Sequence, residues 1–336
     1  MGQENLSSVK ETGLIKPVFG CKPRFQILNL LYKEGANMRK NFLFGLSILI
    51  SSLLFPTPTS ALVNGPVSYV ALGDSLAAGQ TPNREIDTGY SDLIAQEISR
   101  NQSLVFYSKD LSFPGFTTKD VLERVQSKEA QPLLANANVI TISAGANDLL
   151  RLIQLDAKSG SIAFQQIPAD YSLNMARENM TAILAELKTI APKAEVYIMG
   201  YYFAYPHARD SQKIGAKMQV DKLNTILARV AKEADAHFVP VNKAFGDSAK
   251  DKVPSPSDVH PNVEGYRAMA NSFFTVYSNG NYQVTEDEVP AGNPQSFEEL
   301  INAQRNASKP TEDTAVLPSS QLKGNFLALT EWLPLI

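Results

Sequence analysis

Val67-Ser68-Tyr69-Val70-Ala71-Leu72-Gly73-Asp74-Ser75 joins a run of apolar, β-branched and aromatic residues to a glycine, an acid and a serine. The run has strand composition, and the glycine ends it. A hydroxyl at a strand end stands where a nucleophile would, yet serine attacks well only when a neighbouring base takes its proton. An imidazole held by a carboxylate is the usual arrangement at neutral pH. The chain has three histidines, His207, His237 and His260, and the last stands in Ser257-Asp258-Val259-His260-Pro261-Asn262, where an acid and a base lie together.

Strand-like runs recur at residues 103 to 107, 139 to 143, 195 to 199 and 237 to 241. Helix-like stretches lie between them, near 90 to 100, 117 to 127, 169 to 190 and 211 to 234, with a last one after Pro261. In the third of these, Met175, Ile183, Leu184 and Leu187 recur at helical spacing, and Pro192 and Pro240 mark breaks near element ends. Strand and helix alternating over five units predict an α/β fold, a five-stranded parallel sheet between two helical layers. Ligands of such sheets bind beyond the carboxyl ends of the strands, which is where Ser75 falls.

At 336 residues and 44% hydrophobic, the chain has ample material for a core. A formal charge of −3 without a strongly basic block argues against nucleic acid as a partner and favours neutral or weakly polar substrates. From Met38, Arg39-Lys40 precede the apolar run Phe42 to Phe55 and the small residues Thr59 and Ala61, the pattern of a secretory signal cleaved after Ala61. Residues 1 to 37 then form an upstream extension, and the protein is expected outside the cell. The apolar run is shorter than the ~20 residues a membrane span needs. The single cysteine, Cys21, lies before the signal, which leaves the mature chain without a disulfide or a thiol nucleophile. Residues 62 to 279 are expected to form the domain. Residues 280 to 336, rich in Asn, Gly, Gln, Pro and acids, are expected as linker and tail.

Four blocks along this pattern converge on one kind of site. Gly73-Asp74-Ser75-Leu76 follows the first strand, Ser112-Phe113-Pro114-Gly115 the second and Gly145-Ala146-Asn147-Asp148 the third, while Asp258-Val259-His260 precedes the last helix. In this order, over roughly residues 67 to 277, they resemble the SGNH/GDSL hydrolase family of secreted esterases and lipases. The resemblance implies a flavodoxin-like fold and hydrolysis of a small-molecule, glycan or lipid ester without cofactor or metal. It also implies Ser75 as nucleophile, His260 as general base, and an oxyanion hole made by the N–H groups of Ser75 and Gly115 and the side chain of Asn147. The family's acid usually stands three residues before the histidine, a position held here by Ser257. Residues two apart in an extended loop share a side, so the acid is assigned to Asp258.

Asp74 and Asp148 are expected to brace loops, His207 and His237 to lie outside the site, and the run Tyr201-Tyr202-Phe203-Ala204-Tyr205 to wall a pocket or fill core. An α/β-hydrolase elbow would need Gly-x-Ser-x-Gly, whereas here Ala77 holds the last position. A metal-dependent phosphoesterase needs more histidine and acid ligands than any motif offers. The remaining rivals are a carbohydrate O-acetylesterase of the same fold and a secreted binding module that has lost turnover.

Overall fold

The structure is a computed structural model that describes residues 65–296 apart from Asp247. The extension and signal expected over residues 1 to 61, and the chain from residue 297 onward, lie outside the described residues. In chain order the first half comprises β1 (Val67–Gly73), α1 (Ser75–Ala78), β2 (Glu85–Ile86), α2 (Tyr90–Asn101), β3 (Leu104–Ser112), α3 (Thr118–Gln126), α4 (Ala130–Ala135), β4 (Val139–Ser143) and α5 (Ala146–Leu150). There follow β5 (Gln154–Asp156), β6 (Ser161–Ala163), α6 (Gln166–Ile190), β7 (Glu195–Met199), α7 (Asp210–Glu233), β8 (His237–Val239), α8 (Asn242–Phe245), α9 (Val263–Tyr277) and β9 (Gln295–Ser296).

Five strands form one parallel sheet in the order β3-β1-β4-β7-β8. Every residue of β1 and β4 is buried, as expected of central strands covered on both faces. From β1 the chain moves one way to β3, then returns across β1 to β4 and continues through β7 to β8. Right-handed crossovers therefore put α2 on one face and α3, α6 and α7 on the other. The packing agrees: α9 lies on α2, and α6 lies against both α3 and α7. The reversal of direction falls between β1 and β4, so the loops after these two strands open side by side at the switch point, the place for a ligand.

Local signals explain the helix starts. Thr117 and Asp120 form a reciprocal capping pair on α3, with Asp120 accepting from Thr117 N at 2.7 Å. Asn262 caps α9 by accepting from Gly265 N at 3.1 Å, and Asp74 caps α1 by accepting from Leu76 N at 3.0 Å.

Three stretches differ from the expectation. β3 continues past residue 107 to Ser112, because it is an edge strand whose polar residues meet partners: Lys109 Nζ lies 2.6 Å from Asp92 Oδ2. Between α5 and α6, where no element was expected, β5 and β6 make an antiparallel hairpin. Its turn is held by Asp156, which accepts from Ser159 Oγ at 2.6 Å, and Ile162 packs beside Ala208 and Ala216. Finally, residues 281–296, read as linker, lie on the domain. Val284 is fully buried and exchanges two hydrogen bonds with Asn271, at 2.8 and 3.0 Å, and β9 pairs with β2. Val284, Tyr282 and Val289 anchor this stretch, too few and too unevenly spaced to produce a period. No helix among the described residues is long and apolar enough to cross a membrane.

Candidate active site

The sharp exit from β1 rests on Gly73, whose φ is +142°. A Cβ there would stand 2.1 Å from the carbonyl oxygen of Ser143, so only glycine lets β1 run this close to β4. Asp74 N donates to that same oxygen at 2.9 Å. The buried Asp74 carboxylate accepts from Leu76 N at 3.0 Å, Ser143 Oγ at 2.9 Å and Tyr201 OH at 2.6 Å. Burial pushes its pKa up from the usual carboxylate value, while these donors and His260 pull it back. The turn is thereby fixed to its neighbours on β4 and the β7–α7 loop, and Ser75 begins α1 in a single orientation.

The loop before α9 brings the base to it. His260 Nε2 lies 2.7 Å from Ser75 Oγ, and His260 Nδ1 lies 2.7 Å from Asp258 Oδ1. Asp258 Oδ1 also accepts from His260 N at 2.8 Å, so one carboxylate oxygen holds both backbone and ring. With a carboxylate at Nδ1, the network assigns the proton there and leaves Nε2 to accept from the serine. Ser257 is turned away: its hydroxyl lies 3.3 Å from Ser255 Oγ at the surface. Tyr202 OH donates to Val259 O at 2.7 Å, and its ring stacks on Phe245 at 4.0 Å between centroids. Gln80 Nε2 stands 3.4 Å from His260 Nδ1, with Gln80 O accepting from Tyr266 OH at 2.6 Å.

In the loop between β3 and α3, Gly115 has φ +85°, a left-handed backbone that favours glycine. No atom lies within 4 Å of a Cβ built there, so that side of the loop is open. α5 holds the loop in place through three side chains. Asn147 Nδ2 donates to Phe116 O at 2.9 Å, and Arg151, which caps the helix, donates to Gly115 O at 2.9 Å. Asp148 accepts from Thr118 N at 2.9 Å and Thr118 Oγ1 at 2.7 Å. One N–H of the Asn147 amide is used on Phe116, leaving the other for a ligand. The N–H groups of Ser75 and Gly115 have no hydrogen-bond acceptor among the described residues.

Ser75, Asp258 and His260 are thus brought together, and Asn147 and Gly115 are bound to one loop system. His207 and His237 are engaged elsewhere, on Val253 O at 2.8 Å and Glu195 Oε2 at 2.9 Å. Tyr201, Tyr202 and Tyr205 both line the site and fill core, while Phe203 belongs to the cluster under the hairpin. Tyr201, Tyr202, Gln80 and Arg151 act on the site through residues distant in sequence. For the two tyrosines, their place directly after β7 was the available signal.

Ser75 and His260 line a cleft of about 760 Å³, its open mouth included, together with residues of α5, the segments flanking the hairpin, the β7–α7 loop and α7. Its walls are mainly aliphatic and aromatic, with Leu149, Ile153, Phe164, Val220 and Leu223 among them.

A sequence model described as the GDSL-like Lipase/Acylhydrolase family matches residues 71–268. The uncharacterized protein YpmR of Bacillus subtilis (strain 168) is 22% identical over 212 residues, covering 62% of this chain and 80% of that protein. Among solved structures, the lipase Lip_vut3 from a goat rumen metagenome superposes with a TM-score of 0.50 at 19% identity, over 66% of this chain and 99% of that one. A catalytic mutant of Axe2, an acetylxylan esterase from Geobacillus stearothermophilus, gives 0.48 at 17% identity, over 65% and 96%.

Proposed function

The chain belongs to the GDSL-like lipase/acylhydrolase family and is by that membership a carboxylic ester hydrolase, and we propose that it works through an acyl-enzyme on Ser75. The observation that carries this reading is the hydrogen-bonded line from Ser75 Oγ through His260 to Asp258, with both contacts at 2.7 Å.

Ser75 Oγ attacks the ester carbonyl carbon while its proton passes to His260 Nε2. Asp258 keeps the ring in the required tautomer and offsets the charge of the imidazolium. The carbonyl oxygen becomes an oxyanion between the N–H groups of Ser75 and Gly115 and the free N–H of Asn147. Donors fixed in advance cost no reorganisation as charge develops, and one of them is worth about 2.7 to 4 kcal/mol. His260 then returns the proton to the departing alcohol. In the second half water attacks the acyl-serine, gives its proton to His260, and the acid leaves as Ser75 recovers its own.

The test is labelling with an alkyl phosphonate followed by peptide mapping. Modification of Ser75 alone, lost in His260→Ala, is the expected result, and modification of another serine would remove Ser75 from its role. We further propose that residues 38 to 61 direct export. N-terminal sequencing of protein from the culture medium should begin at Leu62, and retention of full-length chain inside the cell would defeat this.

A further inference from the structure

Of the six large apolar side chains exposed among the described residues, four fall on two neighbouring helices: Ile167 (84% exposed) and Tyr171 (66%) on α6, and Ile214 (69%) and Met218 (53%) on α7. Each pair is four residues apart and so shares one face of its helix. Both helices lead from the carboxyl end of one parallel strand to the start of the next, so they run parallel, and they pack on each other. Gln219 Nε2 meets Gln166 Oε1 at 3.3 Å and Lys222 Nζ meets Asp170 Oδ1 at 3.0 Å. These pairs set the register of the two helices and bring Ile167 level with Met218. Single exposed apolar side chains need no explanation, but a cluster bordered by polar pairs marks a surface that something covers.

We propose that residues 326–336 of the same chain cover this face. They carry one charged side chain, Glu331, among Phe, Leu, Trp and Ile. The chain also leaves the described residues at the fitting end of the domain. β9 pairs with β2, which lies between α1 and α2 at the carboxyl end of the sheet, and α6 and α7 begin at that same end. A coil as long as residues 297–325 spans about 30 Å, more than the roughly 20 Å across five strands. Tethering over that range supplies an effective concentration on the order of 1 mM, so a contact with a Kd of about 0.1 mM keeps the segment docked about nine-tenths of the time. A second copy of the chain at about 1 μM competes at roughly a thousandth of that concentration.

Trp332 is the only tryptophan of the chain, so tryptophan fluorescence reads this segment alone. In the full chain its emission should lie to the blue of that of a peptide of residues 326–336, be shielded from acrylamide, and stay so on dilution. A charge in place of an apolar side chain in the contact weakens it by about tenfold. Ile214→Lys with Met218→Lys, and Ile167→Lys with Tyr171→Lys, should therefore each lower the docked fraction to about one-tenth and bring acrylamide quenching to that of the peptide. Val105→Lys, at an exposed apolar position on the edge strand β3, should change nothing. A contact this weak is lost before the domain melts, so an unchanged melting temperature certifies the fold of each variant. Emission of the full chain equal to that of the peptide, or shielding that survives both double variants, overturns the proposal. So does shielding lost on dilution as a dimer dissociates, which would place the segment on a second copy. Shielding that arises only with phosphatidylcholine vesicles overturns it as well, since the segment would then bind lipid.

Discussion

In the proposed mechanism Asp258 carries a role that the neighbouring hydroxyl cannot, because only a carboxylate both orients the imidazole and offsets its charge. Asp258→Asn should lower kcat by about 10⁴-fold with an unchanged melting temperature, while Ser257→Ala, altering a hydroxyl that bonds only Ser255, should leave kcat within about twofold. Steady-state kinetics on the two variants decides it, and equal losses would mean that the acid acts differently. Asn147→Ala should lower kcat by about 10²- to 10³-fold with little change in KM, as its free N–H is needed mainly when the oxyanion forms. Asp74 gives a pH prediction of the opposite sign to ordinary acid unfolding. Its pKa is raised on folding, so between the ordinary carboxylate value of 3.8 and the raised value the folded protein holds the proton more tightly than the unfolded chain does. That contribution is present below 3.8 and is lost as pH rises through the raised value. Relative to Asp74→Asn, the native protein should therefore lose melting temperature as pH rises above 4, a trend measurable by calorimetry. The proximity of Ser75 and His260 was legible because each sits in a short block tied to a strand end or helix start. Tyr201 was not: its hydroxyl meets Asp74 across 127 positions, and only folding sets that distance.

At the scale of elements, α5 is more than a carrier for Asn147. Asn147, Asp148 and the C-cap Arg151 reach the loop between β3 and α3 at Phe116, Thr118 and Gly115, which ties the two parts of the proposed oxyanion hole together. Asp148→Ala leaves Thr118 N without its acceptor and should cost about 1 to 3 kcal/mol of stability. It should also lower kcat more than it raises KM, because the Gly115 N–H loses its fixed position. A stability loss without any kcat effect would show the loop held by Asn147 and Arg151 alone. The sheet and its five main helices were readable from apolar runs and helical spacing. The hairpin was not, since strands of three residues with one buried position, Ile162, carry no alternation to detect, and α5 is a single turn beyond a glycine.

At the scale of the whole molecule, the boundary of the domain follows from residues 281–296, whose composition resembles a linker and whose packing does not. Val284 is fully buried, Tyr282 meets the rings of Phe274 and Tyr277 at 6.0 and 6.3 Å, and Arg100 pairs with Glu288 at 3.5 Å. The exposed ion pair adds little, so the loss on truncation is dominated by apolar burial. Val284 alone is worth about 1.5 to 3 kcal/mol relative to exposure, and Tyr282 and the β2–β9 pairing add to it. Chains of residues 62–280 and 62–296 should therefore behave differently. The longer should melt with the complete domain, and the shorter should melt about 6 to 12 °C lower, given about 2 to 4 °C per kcal/mol for a domain of this size. The loss should reach the site as well: β2 lies just after Gln80, whose amide stands 3.4 Å from His260 Nδ1, so releasing β9 frees the segment that carries it. Melting curves and ester hydrolysis of the two truncations provide the check. Equal melting temperatures would mean that residues 281–296 rest on the domain without stabilising it, and equal kcat would separate the strap from Gln80.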